Sequence, residues 1–112
     1  LIELCQTCVA ELGDVKSKIG LIATGDSFMC DPARIEDTRQ RFPKMLAVEM
    51  EGAAIAQTCL QFNTPFVIIR SMSDIAGKES PTSFEAYLET ASVNSSQLVN
   101  NMLDELTSVN LD

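Results

Sequence analysis

The chain predicts an α/β fold in which helices cover a largely parallel sheet. Helical patterns and short apolar runs alternate as helix, strand, helix, strand, helix, strand, helix. One run, Phe66-Val-Ile-Ile69, is continuously apolar, as expected of a strand buried on both faces. Two runs lead into acids: residues 46–48 into Glu49 and Glu51, and residues 66–70 into Asp74. Open α/β sheets bind ligands beyond the carboxyl ends of their strands, so these acids mark a candidate site.

Each element follows from local pattern. Over residues 1–12, Leu1, Cys5, Cys8 and Leu12 recur at helical spacing, and Gly13 supplies a stop. Residues 19–23 read as a buried strand, and Thr24-Gly-Asp-Ser27 turns the chain. Asp31 before Pro32 is an N-cap followed by proline at the first helical position, predicting a helix over 32–41 that Phe42-Pro43 breaks. A short strand follows at 46–48. The helix over 51–62 carries Ala53, Ala54, Ala56 and Cys59 for close packing. Asn63-Thr-Pro65 reads as a turn and 66–69 as the third strand. Residues 75–81, with Gly77 and Pro81, form a loop, and a helix runs from Ser83, a candidate cap, to about Leu106. There is no internal repeat, low-complexity tract or domain boundary. Three strands are thin for this class, and Leu1 is not an initiator Met. Both suggest a missing portion.

Composition narrows the function. Hydrophobic residues make up 46% of the 112, enough for a packed core in one domain. Lys plus Arg number 8 against 16 Asp plus Glu, a net charge of −8 that argues against nucleic-acid binding and gives no basic membrane patch. With no histidine, Ser-His-Asp and Cys-His catalysis are excluded within this chain, as is the commonest zinc ligand. Acid–base work falls mainly to Asp and Glu. Cys5 and Cys8 form a C-x-x-C, but no second pair completes a zinc set. Buried, apolar cysteines of a reducing cytosol are the better reading. No segment has the length of a membrane span or the form of a secretory signal.

Taken together, Gly25-Asp-Ser-Phe28, Val48-Glu-Met-Glu-Gly52 and Arg70-Ser-Met-Ser-Asp74 resemble the bacterial methylthioadenosine/S-adenosylhomocysteine nucleosidases, within the nucleoside phosphorylase superfamily. The resemblance runs from about Cys5 to Leu106. It implies a three-layer α/β/α sandwich of the nucleoside phosphorylase type, of which residues 1–112 form the C-terminal half of a single domain. The family's first half carries the glutamate that activates water, a glycine-containing loop near the ribose and a segment that enters the partner subunit's pocket. None of these has a counterpart here, so the resemblance implies half of an active site and an inactive isolated chain.

The implied reaction cleaves the bond joining adenine to a 5′-thio-substituted ribose. Adenine leaves poorly as an anion, so a carboxylic acid must protonate its N7. Asp74 matches that proton donor, and its pKa, ordinarily about 3.9, must be raised for the role. Without the resemblance, Asp74 reads as a turn residue. Glu51 matches the carboxylate that holds the ribose hydroxyls near developing positive charge. It also fits a first-turn glutamate favoured by the helix dipole. Met50 matches the residue against the sugar, Phe28 the ring stacked on adenine, the Met29 backbone the reader of the purine edge, and Phe84 the aromatic of the alkylthio pocket. Met50 could equally be core, and Phe28 alone is more often core than a base platform. Residues 76–78 suit a mobile lid. Supporting roles fall to Glu49 at the same strand end, to Ser73 orienting Asp74, and to Arg70, similar to the arginine that holds the water-activating carboxylate. Arg70 alone reads as a surface cation, and Ser73 as a turn residue.

The resemblance further implies no metal or organic cofactor, a small-molecule purine thionucleoside as partner, a homodimer and a cytoplasmic location. Two alternatives stay open: a phosphate-dependent purine nucleoside phosphorylase, and a non-catalytic nucleoside-binding or storage protein on the same fold.

Overall fold

The structure, a computed structural model, describes residues 1–27, 30–72 and 81–107, with side chains of the last segment described from residue 87 onward. Its elements are α1 (Ile2–Glu11), β1 (Leu21–Thr24), α2 (Pro32–Arg41), β2 (Met45–Glu49), α3 (Gly52–Gln61) and α4 (Pro81–Leu106). The α/β class therefore holds. The strands β1 and β2 pair in parallel, joined through α2 as parallel strands must be by a crossover.

Helix ends follow the local chemistry. Leu12 caps α1, and Gly13 then adopts φ +86, a left-handed conformation that favours glycine. Asp31 caps α2 by accepting from the Ala33 amide at 3.1 Å, and Pro32 fills the first helical position. At the end of α3, Asn63 takes the left-handed φ of 54. The Thr64 amide donates to the Cys59 carbonyl at 2.8 Å and the Asn63 amide to that of Leu60 at 3.1 Å, the paired bonds of a Schellman stop. The helix α4 starts at Pro81, so Ser83 lies inside it rather than at its cap. Proline's fixed φ suits the first turn, which allows the earlier start. The rest of the expected loop, 75–80, lies outside the described residues.

The strands differ more from expectation. Thr24 closes β1 instead of opening a turn, because the ladder runs to the Thr24–Glu49 pair and the Gly25 amide still donates to the Glu49 carbonyl at 3.0 Å. Neither strand is fully buried; Leu21 and Leu46 are both about half exposed. The segment 66–69 is not a strand. No neighbouring strand among the described residues offers it a ladder, and Phe66 is exposed while Val67 to Ile69 are half-buried. Its order comes from side chains instead. Val67 and Ile69, at alternate positions, pack on the core, and the Ser71 hydroxyl meets that of Ser95 on α4 at 2.8 Å.

That core is the seam between α1 and α4. Cys8 and Val9 from one helix meet Leu98 and Met102 from the other, with Leu4, Cys5, Leu12 and Val15 around them. On α4 the burial recurs at Ala91, Leu98 and Met102, one stripe of a 3.6-residue period. The cysteines are all free. Cys8 is buried, Cys5 and Cys59 are half-buried, and Cys30 is exposed, which corrects the expectation of uniformly buried thiols. Cys30 lies in the connection just before α2. Burial raises the pKa of both Cys5 and Cys8, so neither is poised as a thiolate. The C-x-x-C is therefore packing. In α3, Gly52, Ala53, Ala56 and Cys59 form the inward stripe, whereas Ala54 faces out.

Candidate functional site

The carboxyl ends of β1 and β2 and the start of α3 meet at one corner. Thr24 and Glu49 are partners in the parallel register, so their side chains leave neighbouring strands side by side. The Thr24 hydroxyl donates to Glu49 Oε1 and accepts from the Ala53 amide at 2.9 Å. The other oxygen, Glu49 Oε2, accepts from the Glu51 amide at 2.9 Å, the Gly52 amide at 2.7 Å and Arg70 Nη2 at 2.5 Å. The first amides of α3, which have no partner within the helix, are thus met by Glu49 and Thr24.

This corner requires glycine at position 52. A Cβ there would stand 2.7 Å from Glu49 Oε1, and the carboxylate is too firmly bonded to step aside. Glu49 is the most enclosed acid of the cluster, its side chain 7% exposed. The Thr24 hydroxyl, followed by the backbone amides and Arg70, outweighs the opposing effect of burial and holds its pKa down at about 2. Glu49 is therefore a fixed anion and no proton donor at neutral pH.

Glu51 behaves differently two positions away. It is the N-cap residue of α3, not a first-turn residue, yet its side chain makes no cap bond. Its carboxylate is 66% exposed, and Oε2 accepts from Arg70 Nη2 at 3.2 Å and the Met50 amide at 3.1 Å. Oε1 has no donor among the described residues. Arg70 spans both acids and is 37% exposed, so it is not the free surface cation that its position at a run end suggested. Val67 and Ile69 anchor its segment to the α1–α4 seam, which fixes where the guanidinium can reach. Met50 is about half exposed next to Glu51.

Of the residues singled out in the sequence, Glu49, Met50, Glu51 and Arg70 come together. Phe28, Met29, Ser73 and Asp74 lie outside the described residues, and so does the side chain of Phe84, whose backbone is in α4. The residues 76–78 lie outside them too. Sequence reasoning missed Thr24. Its signal was available: a hydroxyl at the end of the strand that must pair with the strand bearing Glu49. A cavity of about 580 Å³ at the start of α1 and the end of α3 includes none of these residues in its lining. Among the described residues no group of His, Cys, Asp and Glu is arranged to hold a metal, and no helix is long and apolar enough to cross a membrane.

Chemically, the corner offers one carboxylate clamped as an anion and a second, exposed, with acceptor capacity to spare. An exposed carboxylate held by an arginine suits paired hydroxyl donors, such as a sugar diol, and would stabilise positive charge developing nearby.

Comparison with known proteins identifies the family. A family model described as the phosphorylase superfamily matches residues 1–104. The chain is 65% identical over 111 residues to a 5′-methylthioadenosine/S-adenosylhomocysteine nucleosidase of Pseudoalteromonas translucida, covering 99% of this chain and 47% of that protein. A nucleosidase of the same description from Tolumonas auensis is 58% identical, covering 95% and 46%. Among solved structures, the Colwellia psychrerythraea nucleosidase in complex with adenine superposes with a TM-score of 0.83 at 58% identity, covering 94% of this chain and 44% of that one. The Neisseria meningitidis nucleosidase in complex with methylthio-immucillin-A superposes with a TM-score of 0.83 at 40% identity, covering 93% and 45%. The chain spans about half the length of the curated relatives it matches.

Proposed function

The chain belongs to the phosphorylase superfamily, and from that premise we propose that it is the C-terminal half of a nucleosidase acting on 5′-methylthioadenosine and S-adenosylhomocysteine. The reaction hydrolyses the N-glycosidic bond and releases adenine and a 5-thioribose. The observation that carries this reading is 65% identity to a nucleosidase over 99% of the chain. The strand-end carboxylates supply a fitting chemistry.

In this reading Asp74 protonates adenine N7 as the bond lengthens, so that the base leaves neutral. Glu51 accepts hydrogen bonds from the ribose hydroxyls, and its charge lies near the oxocarbenium character of the transition state. Met50 meets the apolar sugar face. Phe28 stacks on the base, the Met29 backbone reads the purine edge, Phe84 lines the alkylthio pocket, and Ser73 orients Asp74. Glu49 and Arg70 hold the corner in which Glu51 is presented. The water-activating glutamate belongs to the other half of the protein. The reading also carries a cytoplasmic homodimer that binds a small nucleoside rather than a nucleic acid or a membrane, in keeping with the net charge of −8.

The test is adenine release from 5′-methylthioadenosine by the full-length protein, with and without phosphate. Release independent of phosphate is expected. Strict phosphate dependence would make the protein a phosphorylase, and tight analogue binding without turnover would make it a binding protein. The isolated 112-residue chain is expected to release no adenine.

A further inference from the structure

We propose that Thr24 is a positioning residue that keeps the Glu51 carboxylate available to the ribose hydroxyls by supplying, together with Glu49, the acceptors that the start of α3 would otherwise draw from Glu51. This inference rests on the nucleosidase reading and adds to it a residue that touches no substrate.

The argument starts from an anomaly. An acidic side chain at a helix N-terminus is ordinarily drawn onto the exposed amides of the first turn, where it gains both hydrogen bonds and the favourable end of the helix dipole. Glu51 occupies the N-cap position of α3 and makes no such bond. One reason is that the first amide within its capping reach, that of Ala53, is already taken, as are the two before it. The Ala53 amide donates to Thr24 Oγ1 at 2.9 Å, and the Glu51 and Gly52 amides donate to Glu49 Oε2 at 2.9 Å and 2.7 Å.

Thr24 joins the two halves of this arrangement. Its oxygen accepts from the helix, and its hydrogen goes to Glu49 Oε1. Donor and acceptor are both used, which fixes the rotor in one direction and holds the Glu49 carboxylate in the orientation that meets the amides and Arg70. Arg70 then reaches Glu51 Oε2 at 3.2 Å from a position set by its 2.5 Å bond to Glu49. Glu51 is left pointing outward, with Oε1 unengaged among the described residues.

Removing the hydroxyl breaks this arrangement at one point. In Thr24→Val the Ala53 amide loses its acceptor, and the nearest carboxylates that can replace it are Glu49 and Glu51. Either movement withdraws Glu51 from the diol it is proposed to bind. Thr24→Ser keeps the oxygen and the hydrogen and is expected to behave as wild type.

The experiment uses the full-length protein and a 7-deaza analogue of 5′-methylthioadenosine, which lacks the ring nitrogen the reaction must protonate and is therefore not turned over. Binding of this analogue and of its 2′,3′-dideoxy counterpart is measured by calorimetry for wild type, T24S and T24V. In T24V the dihydroxy analogue is expected to bind about tenfold more weakly, the loss of one hydrogen bond to a charged group, with the dideoxy analogue unchanged. T24S is expected to restore wild-type affinity for both.

Equal weakening of both analogues in T24V would mean a merely structural role and would overturn the inference, as would unchanged affinity for both. If T24V does not fold, Glu49→Gln interrupts the same chain of contacts, and the same selective loss is required of it. A wild-type protein that fails to bind the dihydroxy analogue would sink the nucleosidase reading, and this inference with it. Binding by wild type with no selectivity in the variants would sink the inference alone.

Discussion

The seam between α1 and α4 is closed by Cys8, Val9, Leu98 and Met102, whereas the corner of β1, β2 and α3 is closed by Thr24, Glu49 and Arg70 through directed bonds. Apolar contact is non-directional and tolerates a different side chain of similar volume. A hydrogen-bonded carboxylate tolerates almost nothing, since each missing partner leaves a charged group unmet. The seam therefore governs stability, and the corner governs where chemical groups point. The two regions are linked through residues 67–71: Val67, Ile69 and Ser71 belong to the seam, and Arg70 belongs to the corner.

This contrast can be broken most forcefully on the activity side. Asp74→Asn in the full-length protein is expected to lower turnover by roughly 100- to 10,000-fold while sparing analogue binding, as loss of a general acid does. Turnover close to wild type in that variant would remove the proton-donor role. On the stability side, Leu98→Ala at the seam is expected to destabilise by about 2–5 kcal/mol with KM unchanged where the protein remains folded. Denaturant unfolding checks the first quantity and steady-state kinetics the second. A shift in KM as large as the loss of stability would mean that the two regions are not separable.

Glu49→Gln sharpens the comparison, because it alters charge at the corner with little change in volume. A destabilisation of about 1–3 kcal/mol is expected from the loss of charge-assisted bonds. The pH dependence gives its signature. The folded pKa of Glu49 lies at about 2, below its ordinary 4.5, so its stabilisation is complete above 4.5 and is lost as pH falls from 4.5 to 2. Melting temperatures over that range are expected to fall less steeply for Glu49→Gln than for wild type. Parallel curves would show that Glu49 is not the group responsible. At the small end, Arg41→Ala removes an exposed 3.0 Å pair with Asp37 on α2, belonging to neither region, and is expected to change stability by less than about 0.5 kcal/mol.

Much of this chain can be read without coordinates, for reasons that differ by element. The limits of α2 are local: Asp31 and Pro32 start it, and Phe42-Pro43 stop it. The strand β2 and the helix α3 follow from the apolar run into Glu49 and the small residues after Gly52. The family motifs, carried in short contiguous stretches, were legible for the same reason. The apolar run at 66–69 misled, because continuous hydrophobicity marks burial but not the presence of a neighbouring strand. Its apolar side chains found the α1–α4 seam instead. Thr24 reads as part of a turn in the sequence because the hydroxyl at a strand end is a local signal, whereas the register that sets Glu49 opposite it is not.

Sequence alone determined where α2 starts and stops, which residues are apolar at helical spacing, and that acids follow two apolar runs, since all of these depend on neighbours within a few positions. Tertiary structure alone decided that Glu49 is clamped and Glu51 left open. Those two acids lie two residues apart and are chemically alike. What separates them is the register that sets Thr24 beside Glu49 and the seam that carries Arg70 to both, contacts between residues more than fifteen positions apart in the chain.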